Sequence, residues 1–304
     1  KSFQEGVYME IRVLKYFLMV AREENITRAA NLLHISQPTL SRQMMQLEDE
    51  LGVSLFHRGK HNIVLTEDGL FLKRRAQEIV SLADRTQEDF LYRNEGLTGE
   101  ITIGSGEFQS SRILSDMIAS FRKMNPGVRF SIYSGNADAV KEQIESGVLD
   151  MGLLMEPVDI SRYEFLHMPG KEEWGVLIRE DSELARKEYI MPEDLSGFLQ
   201  ISSKRDLVQK ELALWLGEYA DQVESVASGN LQYNIASMVK SGIGIAVTIR
   251  LDCSYPGICF RPLRPRVESR TVLAWKKTQA FAPATSVFLS YARKYVSGIR
   301  GDLI

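Results

Sequence analysis

The spacing of apolar residues changes character once along this 304-residue chain, at Gly96-Leu97-Thr98-Gly99, and that break limits what the chain can fold into. Before it, apolar positions recur at helical spacing. Val13, Leu14, Phe17, Leu18 and Ala21 make one amphipathic stripe. Ala29, Ala30, Leu32 and Leu33 make a second, with Asn25 placed to cap it. Leu40, Met44, Leu47 and Leu51 make a third, with Ser36 as cap, Pro38 in the first turn and Gly52 as terminator. Two short extended pieces around Gly59-Lys60-His61-Asn62 predict a β-hairpin. Thr66-Glu67-Asp68-Gly69 then opens a helix running to about residue 93. After the break, strands are predicted at 100–104, 129–133, 151–155, 175–178, 199–202, 224–227, 245–249, 258–262 and 271–275. Helices are predicted between them at 112–124, 137–146, 209–219, 232–240 and 285–296. Such alternation predicts an α/β region with parallel sheets and right-handed crossovers.

Composition excludes some classes. The hydrophobic (44%) and charged (25%) fractions are those of a soluble globular protein. No apolar run approaches the ~20 residues of a membrane helix. Residues 1–8 lack the basic-then-apolar pattern of a signal peptide, so the expectation is a cytoplasmic protein with no membrane partner. Net charge is −3, and residues 1–95 hold 13 Lys/Arg against 14 Asp/Glu. Any nucleic-acid contact must therefore come from local placement of cations. Cys253 and Cys259 form a C-x5-C pair that fits neither zinc nor thioredoxin spacing. They read as reduced structural thiols, with a redox or ligand-contacting role as the alternative.

The second and third helices, joined tightly through His34-Ile35-Ser36, have the order of a helix-turn-helix, whose second helix offers its N-terminal side chains to the major groove. Ser36, Gln37, Thr39, Ser41, Arg42 and Gln43 lie off the apolar stripe. Gln can pair with adenine and Arg with guanine through two hydrogen bonds each. Arg28, Arg58, Lys60 and His61 can supply phosphate contacts beside the groove.

The run Thr27-Arg28-Ala29-Ala30-Asn31-Leu32-Leu33-His34-Ile35-Ser36-Gln37-Pro38-Thr39-Leu40-Ser41-Arg42-Gln43 resembles the signature of LysR-type transcriptional regulators. So do the stretch from Leu47 to Arg58 and the run Leu65-Thr66-Glu67-Asp68-Gly69. The resemblance implies a multi-domain α+β protein in three parts. These are an N-terminal winged helix-turn-helix over 9–67, a linker helix for dimerisation over 68–95, and a periplasmic-binding-protein-like effector domain over 98–304. The last would have two lobes, about 98–168 with 267–304 and about 170–263, with crossings near 169–171 and 262–265. It places Gln37, Pro38, Ser41 and Arg42 at the start of the recognition helix, and Arg58, Lys60 and His61 on the wing. Implied partners are double-stranded DNA with a pseudo-palindromic site, a homodimer or homotetramer, RNA polymerase and a small-molecule effector. No cofactor is implied.

Ligands of open α/β sheets bind at the carboxyl ends of strands, beside helix N-termini. That rule selects Ser105, Gly106, Glu107 and Phe108 after one strand and Ser134 and Asn136 after the next. It also selects Ser202, Ser203, Asn230 and Thr248. The family resemblance points most directly to Ser105, Ser202 and Thr248. Hydroxyls beside helix N–H groups suit a small organic anion, whereas Glu107 would repel one unless directed away; the same hydroxyls also serve as ordinary helix caps. An enzyme reading finds little support: there is no G-x-S-x-G, no P-loop and no Rossmann fingerprint. His57 and His61 have H-x3-H spacing, but Arg58 and Lys60 between them would oppose a metal cation. A pure solute-binding protein is the other alternative, disfavoured by the attached helix-turn-helix.

Overall fold

A computed structural model describes residues 9–58, 63–91, 96–203 and 205–301, omitting the side chains of residues 58, 85, 88–91, 300 and 301. The chain divides into two units, Lys1–Leu91 and Tyr92–Ile304.

In the first unit, α1 (Ile11–Glu23) buries Leu14, Phe17, Val20 and Ala21 on one face. Helix α2 (Ile26–Leu32) is capped by Asn25, whose side chain accepts from the Arg28 N–H at 2.9 Å. His34 takes a left-handed conformation (φ 54°) to make the tight turn into α3 (Gln37–Leu51). That helix buries Leu40, Met44 and Leu47 and ends at Gly52, whose φ of 66° favours glycine. Strands β1 (Phe56–Arg58) and β2 (Ile63–Leu65) pair antiparallel. The Glu48 carboxylate of α3 accepts from the backbone N–H groups of Leu55 and Phe56, tying α3 to the hairpin. Helix α4 (Glu67–Leu91) starts on Thr66, whose hydroxyl accepts from Gly69 N–H at 2.9 Å and donates to Ser54 carbonyl at 2.6 Å. A Cβ at Gly69 would lie 2.2 Å from the Leu55 carbonyl oxygen, so this turn has room for glycine alone.

The second unit holds two sheets, one of five strands and one of six. The first lobe is built from β3 (Gly99–Ser105), α5 (Ser110–Met124), β4 (Val128–Ser134), α6 (Ala137–Glu145), β5 (Met151–Met155) and β6 (Tyr163–His167). The second lobe follows with β7 (Glu172–Arg179), β8 (Leu199–Ser202), α7 (Asp206–Leu216), β9 (Glu224–Ser228), α8 (Gln232–Lys240), β10 (Ile245–Ile249) and β11 (Ile258–Pro262). The chain returns through β12 (Glu268–Ser269) to β13 (Thr271–Lys276) and α9 (Pro283–Gly301) in the first lobe. Sheet orders are β4-β3-β5-β13-β6 and β11-β7-β10-β8-β9.

The sheets are mixed rather than parallel. β3 runs parallel to β4 and β5, and β8 parallel to β9 and β10. β13 is antiparallel to β5 and β6, and β7 is antiparallel to β10 and β11, because these strands arrive by the crossings between lobes instead of by a helix. The return crossing also lies later than 262–265. Leu263 is fully buried in the second lobe and its N–H donates to Trp174, while β12 pairs Glu268 with Glu173 and Ser269 with Glu172. Helix α7 ends at Leu216, short of the predicted 219, and a 3-10 turn follows. Helices cover both faces of the first sheet. Phe121 and Phe288 pack with Ile101 and Ile103 on one side; Val140 and Ile144 pack with Leu154 and Val272 on the other. Burial on both faces explains the unbroken apolar run of β5. Among the described residues, no helix is long and apolar enough to cross a membrane.

Candidate functional site

The reading head presents a polar end on a well-packed helix. Gln37, Pro38, Thr39 and Arg42 are exposed and Ser41 is half-buried, while Leu40 on the opposite face is fully buried. Ser36 is exposed but engaged: its oxygen accepts from Thr39 N–H at 3.3 Å and shares a 2.7 Å hydrogen bond with the Thr39 hydroxyl. Arg28 is not a free cation. Its guanidinium pairs with the Glu23 carboxylate at 2.9 Å and donates to the Glu23 carbonyl, while its side chain stays 64% exposed with further N–H donors for a phosphate. Arg58 sits on β1, while Lys60, His61 and the Arg58 side chain lie outside the described residues.

In the second unit a cavity of about 360 Å³ opens between the lobes, at the carboxyl ends of strands as the sheet rule requires. It brings together Gly106, Glu107, Phe108, Asn136, Ser202, Ser203, Asn230 and Thr248. Ser105 and Ser134 are not among its walls. They line an adjoining groove with Gln109, Arg112, Asp252, Cys253 and Tyr255 that shares Gly106, Glu107 and Phe108 with the cleft, and the Ser105 hydroxyl donates to the Gly106 carbonyl at 2.6 Å.

The polar groups of the cleft are mostly engaged with one another. Thr248 donates to the Gln232 side-chain oxygen at 2.8 Å, and the Gln232 amide donates to the Ile249 carbonyl at 3.1 Å. The Ser202 hydroxyl is bonded to that of Ser225. Asn136 caps α6 by accepting from Ala139 N–H at 2.9 Å, and Ser203 accepts from Arg205 N–H at 3.2 Å. Glu107 does not face the cavity as a bare charge: its carboxylate crosses from the first lobe and accepts from Gln232 N–H at the start of α8. The start of α5 is occupied likewise. Glu172, only 1% exposed, accepts from Gln109 N–H at 2.8 Å through one oxygen and from Ser110 N–H at 3.0 Å through the other. Carboxylates at helix N-termini are favoured by the free N–H groups and the helix dipole. The protein supplies both carboxylates itself.

Sequence reasoning missed Arg205, the one cation among the described residues lining the cleft. Its side chain is 10% exposed. Nη2 donates to the Pro157 carbonyl of the first lobe at 3.0 Å, and Nε, 4.0 Å from the Asp138 carboxylate, has no hydrogen-bond partner. Burial pushes its pKa down and Asp138 opposes that, yet a guanidinium stays charged at any physiological pH. Position alone could have found it, since Arg205 follows Ser202-Ser203 at the carboxyl end of β8. Among the described residues, no three His, Cys, Asp or Glu side chains gather as a metal-binding group. Cys253 and Cys259 are free thiols, and burial raises the Cys259 pKa.

A winged helix-turn-helix followed by a two-lobed α/β unit with an interlobe cleft defines a DNA-binding transcriptional regulator with a substrate-binding domain. Residues 11–70 match the family model "Bacterial regulatory helix-turn-helix protein, lysR family", and residues 94–297 match "LysR substrate binding domain". The chain belongs to the LysR family. It is 29% identical over 313 residues to the Hca operon transcriptional activator HcaR of Escherichia coli (strain K12), covering 96% of this chain and 99% of HcaR. It is 27% identical over 292 residues to the HTH-type transcriptional regulator YybE of Bacillus subtilis (strain 168), covering 95% and 100%. The crystal structure of CbnR, a LysR family transcriptional regulator, shares the fold with a TM-score of 0.75 at 22% identity, covering 95% of this chain and 99% of CbnR.

Proposed function

We propose that the protein binds promoter DNA as a homodimer or a pair of dimers, and that an effector in the interlobe cleft alters how it binds or bends that DNA. The observation carrying this reading is the exposed N-terminal turn of α3, with Gln37, Pro38, Thr39 and Arg42 outward on a helix anchored by Leu40, Met44 and Leu47. Those side chains have the chemistry to read base edges. Pairing through α4 is supported by its exposed apolar residues Leu70, Phe71, Ile79 and Leu82, which a second copy would cover. Two heads would then address a pseudo-palindromic site, with Arg58, Lys60 and His61 of each wing over the backbone. Contact with RNA polymerase fits the same reading. An effector can shift the assembly only by binding one arrangement of the lobes better than another.

The test is a gel-shift and footprint series on the intergenic DNA upstream of the protein's own gene, over rising salt. Retention that weakens as salt rises supports the reading, since phosphate contacts release counterions. Failure to bind at any salt refutes it. A metabolite screen by thermal shift then tests the cleft, because a ligand raises stability by mass action. An effector that leaves both footprint and bend unchanged refutes the proposed coupling.

A further inference from the structure

Helix α8 begins without a cap of its own. The residue at its N-cap position is Leu231, whose side chain has no acceptor for the free N–H groups. Helix α6, by contrast, is capped by Asn136 from the position just before it. The α8 start is met instead from the other lobe: the Glu107 carboxylate, 125 residues away, accepts from Gln232 N–H. Both ends of this contact are anchored. Gln232, 6% exposed, is tied through its side chain to Thr248 and to the Ile249 carbonyl of β10. Glu107 lies on the loop from β3 to α5, whose far end is held at Gln109 and Ser110 by Glu172 on the crossing strand β7. Between these points Phe108 packs against the cores of both lobes. Two further links across this edge are looser: Gln109 Nε2 donates to Asp252 at 3.5 Å, and Arg112 stands 4.0 Å from the same carboxylate.

Taking the cleft as an effector site, as proposed above, we infer that Glu107 is an interlobe latch: its bond to the α8 start holds the lobes together until an effector displaces it. An ordinary helix cap comes from the helix's own chain segment and stabilises that helix alone. A cap supplied by the opposite lobe is lost when the lobes separate, so its contribution goes to their closed arrangement. Opening exposes Phe108 and returns Glu107 and the α8 N–H groups to water, which recovers part of the bond. The latch therefore has a strength that a ligand's differential affinity can overcome. Glu107 also lines the cleft, so an effector reaching the α8 start displaces this carboxylate, and displacement and release become one event. Arg205, donating to the Pro157 carbonyl of the first lobe, is a second link, so release of Glu107 loosens the lobes without freeing them entirely.

The experiment reads the lobe separation in the full chain with no ligand added. Nitroxide labels go on Ala119→Cys in α5 and Lys240→Cys in α8, both exposed positions, in a Cys253→Ser, Cys259→Ser background. Labelled chains are diluted into unlabelled protein, so that double electron–electron resonance reports distances within one chain. Hydrogen exchange at the α8 start is followed in parallel. In Glu107→Ala the population at longer separation is expected to rise about tenfold relative to the shorter one, the worth of one charge-assisted hydrogen bond. Glu107→Gln, which keeps a neutral acceptor, should raise it less. Leu231→Asp gives α8 its own cap and repels Glu107, so it should raise the longer population while α8 stays protected from exchange. An unchanged separation in Glu107→Ala, with faster exchange confined to α8, would make Glu107 a helix cap alone and overturn the latch. An unchanged separation in Leu231→Asp would overturn it too. Neither result touches the cleft as an effector site. If the lobes respond as expected and the metabolite screen finds no binder, the closing role of Glu107 stands and the effector reading falls.

Discussion

Replacing Glu172 by Gln should damage the second unit out of proportion to so small a change. Each carboxylate oxygen holds one N–H of the α5 start, at 2.8 and 3.0 Å, in a site 1% exposed. Gln keeps one oxygen and turns an NH₂ group toward the other N–H, whichever way the amide is flipped. A hydrogen bond to a charged acceptor is worth about 1.5–3 kcal/mol, and a buried donor left unpaired costs about 1–3 kcal/mol. Loss of the charge from the helix N-terminus adds about 0.3–1 kcal/mol. These terms overlap, so the expected loss is about 2–4 kcal/mol. The assay is denaturant unfolding of the intact chain, followed by tryptophan emission. Trp174, Trp215 and Trp275 are the chain's three tryptophans and all lie within Tyr92–Ile304, so emission reports on that unit alone. Glu164→Gln is the control, because Glu164 makes an exposed pair with Arg293 whose removal should cost under about 1 kcal/mol. If Glu172→Gln lost no more than Glu164→Gln, the account of α5 as a helix filled by an internal carboxylate would be wrong.

Four further outcomes follow from the same structure. Arg42→Ala should cost about 1–3 kcal/mol of DNA affinity concentrated at one base position, read by binding to a set of single-base variants; a uniform loss would make Arg42 a phosphate contact instead. Leu82→Glu, on the exposed face of α4, should shift the mass measured by light scattering toward the monomer, and an unchanged mass would refute pairing through that face. Gly69→Ala forces a Cβ onto the Leu55 carbonyl and should destabilise the first unit by about 1–3 kcal/mol, seen as loss of specific DNA binding at lower temperature; wild-type behaviour would refute the clash. The Tyr163 hydroxyl and then Lys276 hold Glu145 below its ordinary 4.5, and Lys171 does so for Glu268. Depressed carboxylates stabilise the fold above their unfolded pKa and lose that contribution as pH falls through the folded value. Melting temperature should therefore drop with pH below 4.5, and Glu145→Gln with Glu268→Gln should flatten that drop.

What the sequence made legible was local. Asn25, Ser36 and Gly52 act within a turn of where they stand, so helices α2 and α3 could be read with their ends. The alternation of strands and helices was readable for the same reason. The direction of β13 was not, because its partners β5 and β6 lie more than a hundred residues earlier. The cleft was legible as a set of strand ends but not as chemistry. Glu172 reaches N–H groups 62 and 63 residues away, and Glu107 meets Gln232 across 125. No periodicity encodes such pairings. Ser105 and Thr248 looked available because nothing in the sequence shows that Gly106 and Gln232 already hold them.

The internal carboxylates of Glu107 and Glu172 also bear on what the protein ignores. Exposed helix starts attract any small anion, and chloride and phosphate are always abundant around a cellular protein. Here the starts of α5 and α8 are closed to them by covalently attached carboxylates whose effective concentration never varies. Those two helix ends are thereby closed to fluctuations in salt and phosphate. In the effector-binding role proposed above, these two helix ends would not carry changes of the ionic background into the protein's response.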